Sequence, residues 1–223
     1  MGKTSWKTEV LLTGSWRGAT SVLLSNGSLR IVVDTGLPHE AHLLLDALKK
    51  RGHAPSDIGM VINTHFHLDH VLNNNLFPSS LIYGPQESYE WCSELYSDLR
   101  HESEWKKRVL KYYPETFEYD QAEANMGKLR KLTLRWWDVQ RVGSLSQFRW
   151  TETNALPEGL EILVTHGHVP GHVSLIVPGD EQPTVIAGDA LLTRDHDDQV
   201  LTMIPCNRKQ FLLDRALILS LGG

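Results

Sequence analysis

The chain has 223 residues, of which 41% are hydrophobic and 22% charged, as is typical of a globular protein with a sizeable core. Its net charge of -5 argues against a nucleic-acid binder driven by bulk charge, and no apolar run has the length of a membrane span. Two cysteines do not make a disulfide scaffold, and no signal peptide is recognised, so we expect one cytoplasmic domain over residues 1–223.

The first third of the sequence alternates short apolar runs with turn residues. Asn26 and Gly27 separate two such runs and predict a type I′ hairpin turn, because both residue types tolerate positive φ. Apolar residues at helical spacing follow, and they predict a helix that stops before Gly52. The predicted elements are strands at 21–24 and 28–33, a turn at Asp34-Thr35-Gly36, a helix at 41–48, and strands at 58–63 and 81–83.

The middle of the chain, residues 86–150, is polar and rich in Trp and Tyr. It includes a predicted helix from Trp105 to Tyr113 that ends at a proline. We expect a helical insertion that forms a lid or a hydrophobic acyl pocket, or that has a small core of its own. The basic run at 128–141 favours a helix with buried Trp and solvated cations over a contact with nucleic acid.

The last third returns to short strands and ends in an apolar helix. Strands are predicted at 160–164, 173–177 and 184–187, with a tight turn at 178–180. The helix covers 208–220, and Asn207 is its expected N-cap. A helix this apolar normally packs on a sheet and leads to another strand, so we expect the fold to lack its C-terminal strand.

Three histidines and an aspartate lie within six residues, His65-Phe66-His67-Leu68-Asp69-His70, directly after the predicted strand 58–63. Neutral imidazoles bind zinc, copper, iron and nickel, and a carboxylate adds an oxygen ligand or a base. A histidine-rich surface loop without a ligand is the alternative interpretation. The cluster does not stand alone, however, and this favours a metal site.

Two more groups of polar residues follow predicted strands. The run Thr165-His166-Gly167-His168-Val169-Pro170-Gly171-His172 comes after strand 160–164, and Ala187-Gly188-Asp189 ends strand 184–187. The glycines permit close approaches of the backbone at these positions. The side chains of these His and Asp residues could therefore lie close together, at the edge of the sheets where three strands end.

Together these motifs resemble the metallo-β-lactamase superfamily of metallohydrolases. The matching features are T-H-x-H-x-D-H at 64–70, a form of T-P-G-H-T-x-G-H at 165–172, G-D at 188–189 and the early D-T-G at 34–36. The resemblance implies an α/β fold, a four-layer αββα sandwich with a dinuclear metal site at one edge of the sheets.

The resemblance also implies a ligand set. His65, His67 and His172 would bind the first metal, and Asp69, His70 and Asp189 the second, with Asp189 bridging both. Zinc is the expected metal, one or two ions per chain, with iron or manganese as alternatives. Asp69 would also be the catalytic residue, orienting the attacking hydroxide or passing a proton to the leaving group.

Two departures from the family pattern matter. His166 replaces the usual proline, and we expect His166 and His168 to lie outside the ligand set. The family normally adds one more His to the second metal after the last helix, and nothing follows Gly223. His196 could substitute, although its acidic surroundings favour a solvated loop. Asp34 could orient a ligand His or cap its own turn.

The resulting prediction is a metal-dependent hydrolase of an ester-like bond, such as that of a lactone or a thioester. The alternatives are a phosphodiesterase or ribonuclease, an iron-dependent thiol oxygenase, and a truncated, catalytically weak form. The expected partner is a small-molecule substrate. Nucleic acid is not favoured, no membrane is expected, and a homodimer would be one way to complete the site.

Overall fold

The computed structural model describes residues 5–14, 18–114, 122–179, 182–192 and 205–221. Its strands form two sheets. The large sheet has the order β1 (Lys7–Leu12), β2 (Ser21–Ser25), β3 (Arg30–Val33), β4 (Met60–Ile62), β5 (Leu81–Gly84), β6 (Phe148–Trp150). The small sheet has the order β7 (Glu161–Val164), β8 (Val173–Val177), β9 (Thr184–Ile186). The helices are α1 (Ala41–Lys50), α2 (Leu68–Val71), α3 (Gln86–Arg100), α4 (Trp105–Val109), α5 (Ala122–Trp136), α6 (Val139–Val142), α7 (Arg208–Leu221).

Strand direction in the large sheet decides where its loops collect. β1, β2 and β3 pair antiparallel, whereas β3, β4, β5 and β6 pair parallel. The carboxyl ends of the four parallel strands therefore lie at one edge, where sites on α/β sheets are usually built. The small sheet is antiparallel throughout.

The alternation of side chains in the large sheet separates two hydrophobic cores. Leu23, Val32 and Val61 belong to a core that includes residues of helices α1 to α6. The residues next to these in the chain face the small sheet. Together with residues of the small sheet they form the second core, which comprises Trp6, Val22, Leu24, Ile31, Val33, Met60, Ile62, Leu160, Leu175 and Val177. The layers are thus helices, large sheet, small sheet and α7, the expected αββα sandwich.

The structure corrects the hairpin turn between β2 and β3. Ser25 pairs with Arg30, so four residues form the loop. Among the described non-glycine residues only Asp34 and Glu104 have positive φ, and the predicted type I′ geometry is therefore wrong. Instead, Asn26 Oδ1 accepts the backbone N–H groups of Ser28 and Leu29. The side chain of Asn26 therefore closes this turn together with a backbone hydrogen bond, which Asn26 N donates to Leu29 O at 3.2 Å.

The segment predicted as a helical insertion also contributes to the large sheet and to its core. β6 lies within it and pairs with β5. Cys92, Tyr96 and Tyr113 are buried in the same core as α1. On α5, Arg130 lies over the ring of Trp105 and Arg135 lies over the ring of Trp136, so each cation contacts an aromatic face. No helix in the described part of the chain is long and apolar enough to cross a membrane.

A substitution between the sheets tests this division of the core. Leu175 is 1% exposed, and Leu175→Ala is expected to lower the free energy of unfolding by about 2–5 kcal/mol, because it leaves a cavity between the two sheets. Leu145 is 73% exposed, so the same change there is expected to cost less than about 0.5 kcal/mol. Urea unfolding of both variants measures the two free energies of unfolding. Equal losses in the two variants would contradict the assigned core.

Candidate metal centre

The candidate site lies where the two sheets meet at the carboxyl edge of the large sheet. His65 follows β4, and Asp189 lies in a short 3-10 turn, Gly188–Ala190, after β9. A backbone hydrogen bond from Val173 N to Thr64 O, 2.9 Å long, joins the start of β8 to the end of β4. The turn after β9 passes close to His172 and Thr64. This requires a glycine at position 188, since a Cβ there would lie 2.8 Å from the His172 ring and from Thr64 Oγ1.

Asp34 organises the loop that carries the histidines. Its Oδ1 accepts the Thr64 backbone N–H at 2.9 Å, and its Oδ2 accepts the Thr64 hydroxyl at 2.9 Å. The same Oδ2 lies 2.8 Å from His70 Nδ1. Of the two interpretations of Asp34, a residue that orients a ligand histidine and a cap of its own turn, the structure therefore supports the first.

One group of side chains converges on a small volume. His65, His67, His168 and Asp189 each direct a ligand atom into it, and these atoms all lie within 4.8 Å of one another. His67 Nδ1 is 3.0 Å from His168 Nε2, and His168 Nε2 is 3.5 Å from Asp189 Oδ2. Three imidazoles and one carboxylate are a common donor set for zinc.

A second group shares Asp189 with the first. His70 Nε2 lies 3.3 Å from Asp189 Oδ1 and 3.8 Å from Asp69 Oδ2. Asp189 thus turns Oδ2 toward the first group and Oδ1 toward the second. This is the geometry of a bridging carboxylate, the role that the sequence resemblance implied for Asp189.

The structure brings His168, which the sequence analysis placed outside the ligand set, into the first group. His172 lies beside this group, and both of its ring nitrogens have protein partners. Its Nε2 accepts the backbone N–H of Asp189 at 3.1 Å, and its Nδ1 lies 2.8 Å from Thr165 Oγ1. His172 thus contacts the backbone of Asp189, while His168 faces the Asp189 carboxylate.

The backbone of the loop 166–168 explains why His168 points inward. Cys206 N donates to His168 O at 2.9 Å, and Gly167 N donates to Asp214 Oδ2 at 2.8 Å. Asp214 is buried on α7, and a Cβ on Gly167 would collide with the α7 backbone at Phe211. This packing leaves His166 exposed and buries His168.

The first group fits a metal ion in protonation as well as in geometry. The buried His65 Nε2 has no hydrogen-bond partner among the described residues. Burial lowers the pKa of His65 and of His168 well below the usual histidine value, and lowers that of His67 to about 4. Neutral imidazole is the form that binds metals, so these rings need no proton release before binding.

In the second group, unlike the first, the pKa of the histidine is raised. Burial alone would lower the pKa of His70, but the carboxylates of Asp34, Asp189 and Asp69 raise it well above its usual value. Burial raises the pKa of Asp69 to about 6, against the lowering effect of His70. A protonated His70 therefore balances the surrounding carboxylates, and a cation bound there would take over that role.

The structure adds a residue to this site that the sequence analysis did not assign. The Tyr113 hydroxyl lies 3.1 Å from His67 Nε2, and Tyr113 is buried. No motif or spacing marks this tyrosine, which is one of six in the chain. His196, considered as an additional ligand, lies outside the described residues.

Comparison with known proteins finds a family whose sequence model matches most of the chain. The sequence model of the metallo-beta-lactamase superfamily matches residues 14–221. Metallo-beta-lactamase domain-containing protein 1 of Xenopus laevis is 31% identical over 180 residues, covering 79% of this chain and 56% of that protein. The chain thus spans little more than half the length of that relative.

More distant matches come from lactonases. N-acyl homoserine lactonase AiiA of Bacillus thuringiensis subsp. kurstaki is 23% identical, over 76% of this chain and 63% of its own length. The solved structure of AidC, a dizinc quorum-quenching lactonase in complex with a product, superposes with a TM-score of 0.60. It is 17% identical and covers 91% of this chain and 67% of AidC. At this level of identity the structural match shows a shared fold.

The proposed role of His168 as a metal ligand can be tested by comparing it with a neighbouring histidine. His168→Ala is expected to weaken zinc binding at the first group by more than about 100-fold, because it removes a donor rather than an outer contact. His166→Ala removes an exposed imidazole two residues away and is expected to leave zinc content unchanged. Zinc per chain by mass spectrometry, with competition against a chelator, measures both. Equal affinities in the two variants would contradict the assignment.

Proposed function

The chain belongs to the metallo-beta-lactamase superfamily, and we propose that it is a metal-dependent hydrolase of small molecules with an ester-like bond, such as a lactone or a thioester. The observation that supports this most directly is the convergence of His65, His67, His168 and Asp189, with Asp69 and His70 beside them. The lactonases among its distant relatives support a carbonyl substrate.

The donor groups define what a bound metal would contribute. We propose that the first group holds one zinc ion and that Asp69, His70 and Asp189 contribute to a second. Such a pair supplies a water of lowered pKa and stabilises negative charge on the reacting oxygen. Iron and manganese are the alternative metals for these nitrogen and oxygen donors.

The side chains around these donors have separate roles. Asp34 and Thr64 fix the rings of His70 and His65, which keeps their free Nε2 atoms directed at the site. Asp69 is partly exposed and lies beside His70, so its carboxylate can accept a hydrogen bond from the attacking water. It can then pass a proton to the leaving alkoxide or thiolate.

A substrate panel tests the proposed reaction. The protein loaded with zinc, manganese or iron is incubated with an N-acyl homoserine lactone, a thioester and bis(p-nitrophenyl)phosphate. We expect turnover of a carbonyl substrate that a chelator abolishes and added metal restores. Turnover of the phosphodiester alone would overturn the proposed substrate class, and thiol oxidation with iron would overturn hydrolysis.

A single substitution tests the role of Asp69. Asp69→Asn is expected to lower kcat by about 10²-fold or more, because the amide cannot carry the proton to the leaving group. Zinc at the first group should be retained, since Asp69 is not one of its donors. Asp46→Asn, an exposed carboxylate on α1, is the matched control and should keep full activity. An Asp69→Asn variant with unchanged kcat would exclude the proposed proton transfer.

A further inference from the structure

His65 and His70 each have a partner on the ring nitrogen that faces away from the metal-binding volume. His65 Nδ1 contacts Thr64 Oγ1 at 3.1 Å, and His70 Nδ1 contacts Asp34 at 2.8 Å. Both partners lie directly after strands of the large sheet, β4 and β3, so the sheet itself fixes these two rings.

His67 is held differently. It precedes α2 in a loop, and its Nδ1, not its Nε2, faces His168. The opposite nitrogen, Nε2, lies 3.1 Å from the hydroxyl of Tyr113, which is 46 positions later in the chain. Without such a partner, a half-turn of the ring about its Cβ–Cγ bond would put a carbon, Cδ2, in the place of Nδ1 and direct Nδ1 away from the site.

From this geometry we infer that Tyr113 is a positioning residue for the metal centre: its hydroxyl oxygen accepts the Nε2–H of His67 and thereby fixes Nδ1 as the metal-binding nitrogen. A histidine that donates its second N–H to a fixed acceptor is held in one tautomer and one orientation. The inference rests on the proposed metal-dependent function, since it requires His67 to be a ligand.

Tyr113 is itself held rigidly enough for this task. It is 3% exposed, and its ring meets the edge of Trp91 with centroids 5.4 Å apart. Its backbone N–H donates to Val109 O at 3.0 Å, which ties it to the end of α4. Because both the ring and the backbone of Tyr113 are fixed, its hydroxyl can restrain the imidazole that it contacts.

The neighbouring Tyr112 provides a matched control. It is also buried, and its ring also meets Trp91 at 5.4 Å. Its hydroxyl, however, donates to Asp98 Oδ2 at 2.7 Å and does not contact any histidine of the site among the described residues. Tyr112→Phe and Tyr113→Phe thus each remove one buried hydroxyl from the same segment, and only the second removes the partner of His67.

The experiment compares zinc affinity in the wild-type protein and the two variants by competition with a chromophoric chelator. Tyr113→Phe is expected to raise the zinc Kd of the first group by about 10–100-fold, the usual effect of losing an outer-shell partner. Tyr112→Phe should leave this Kd unchanged. In ¹⁵N-histidine spectra of the zinc-loaded protein, the Nε2–H signal of His67 should exchange with solvent faster in Tyr113→Phe alone.

The outcomes separate the two proposals. A wild-type protein that binds zinc tightly, together with an unchanged Kd in Tyr113→Phe, overturns the role of Tyr113 and leaves the proposed function intact. Equal losses in both variants also overturn it, because the effect would then come from the packing of the segment. A wild-type protein that binds none of zinc, iron and manganese overturns the proposed function and the role of Tyr113 with it.

Discussion

The site depends on a single buried carboxylate at the end of β3. Asp34 accepts two hydrogen bonds from Thr64 and contacts His70, and so it fixes both ends of the histidine loop. Asp34 has a φ of 54°, an unfavourable conformation for a non-glycine residue that surrounding contacts must maintain. Parallel pairing of β3 and β4 provides these contacts, since Asp34 N donates to Ile62 O at 2.9 Å.

Asp189 connects the other sheet to this arrangement. It reaches the site from the end of β9, and its position is set by the N–H that it donates to His172 and by the turn at Gly188. Because its two oxygens face different groups of donors, a shift of the small sheet would change both groups together. The core between the sheets, with Leu24, Ile62 and Leu175, therefore also maintains the spacing of the metal centre.

Sequence patterns identified strands β2 to β5 and β7 to β9, the histidine cluster and Asp189, because hydrophobic periodicity and a dense motif are local properties of the chain; they missed β1 and β6. They did not indicate whether His168 would point toward Asp189 or away from it. That choice depends on α7, since Asp214 and Phe211 fix Gly167 from a distant part of the sequence. Tyr113 was missed for the same reason: its contact with His67 is visible only after α3 and α4 pack on the large sheet.

Solvent exposure finally separates the roles of the side chains. The imidazoles of His65, His70 and His168 are at most 3% exposed, whereas 18% of Asp189 and 26% of Asp69 is accessible. A substrate therefore meets the carboxylates first, and the buried rings are shielded from proton exchange with solvent. Burial lowers the pKa of His65 and of His168, which keeps these two rings neutral for metal binding, whereas a proton carrier needs access to the leaving group. This difference favours Asp69, rather than a histidine, as the group that exchanges protons with the substrate.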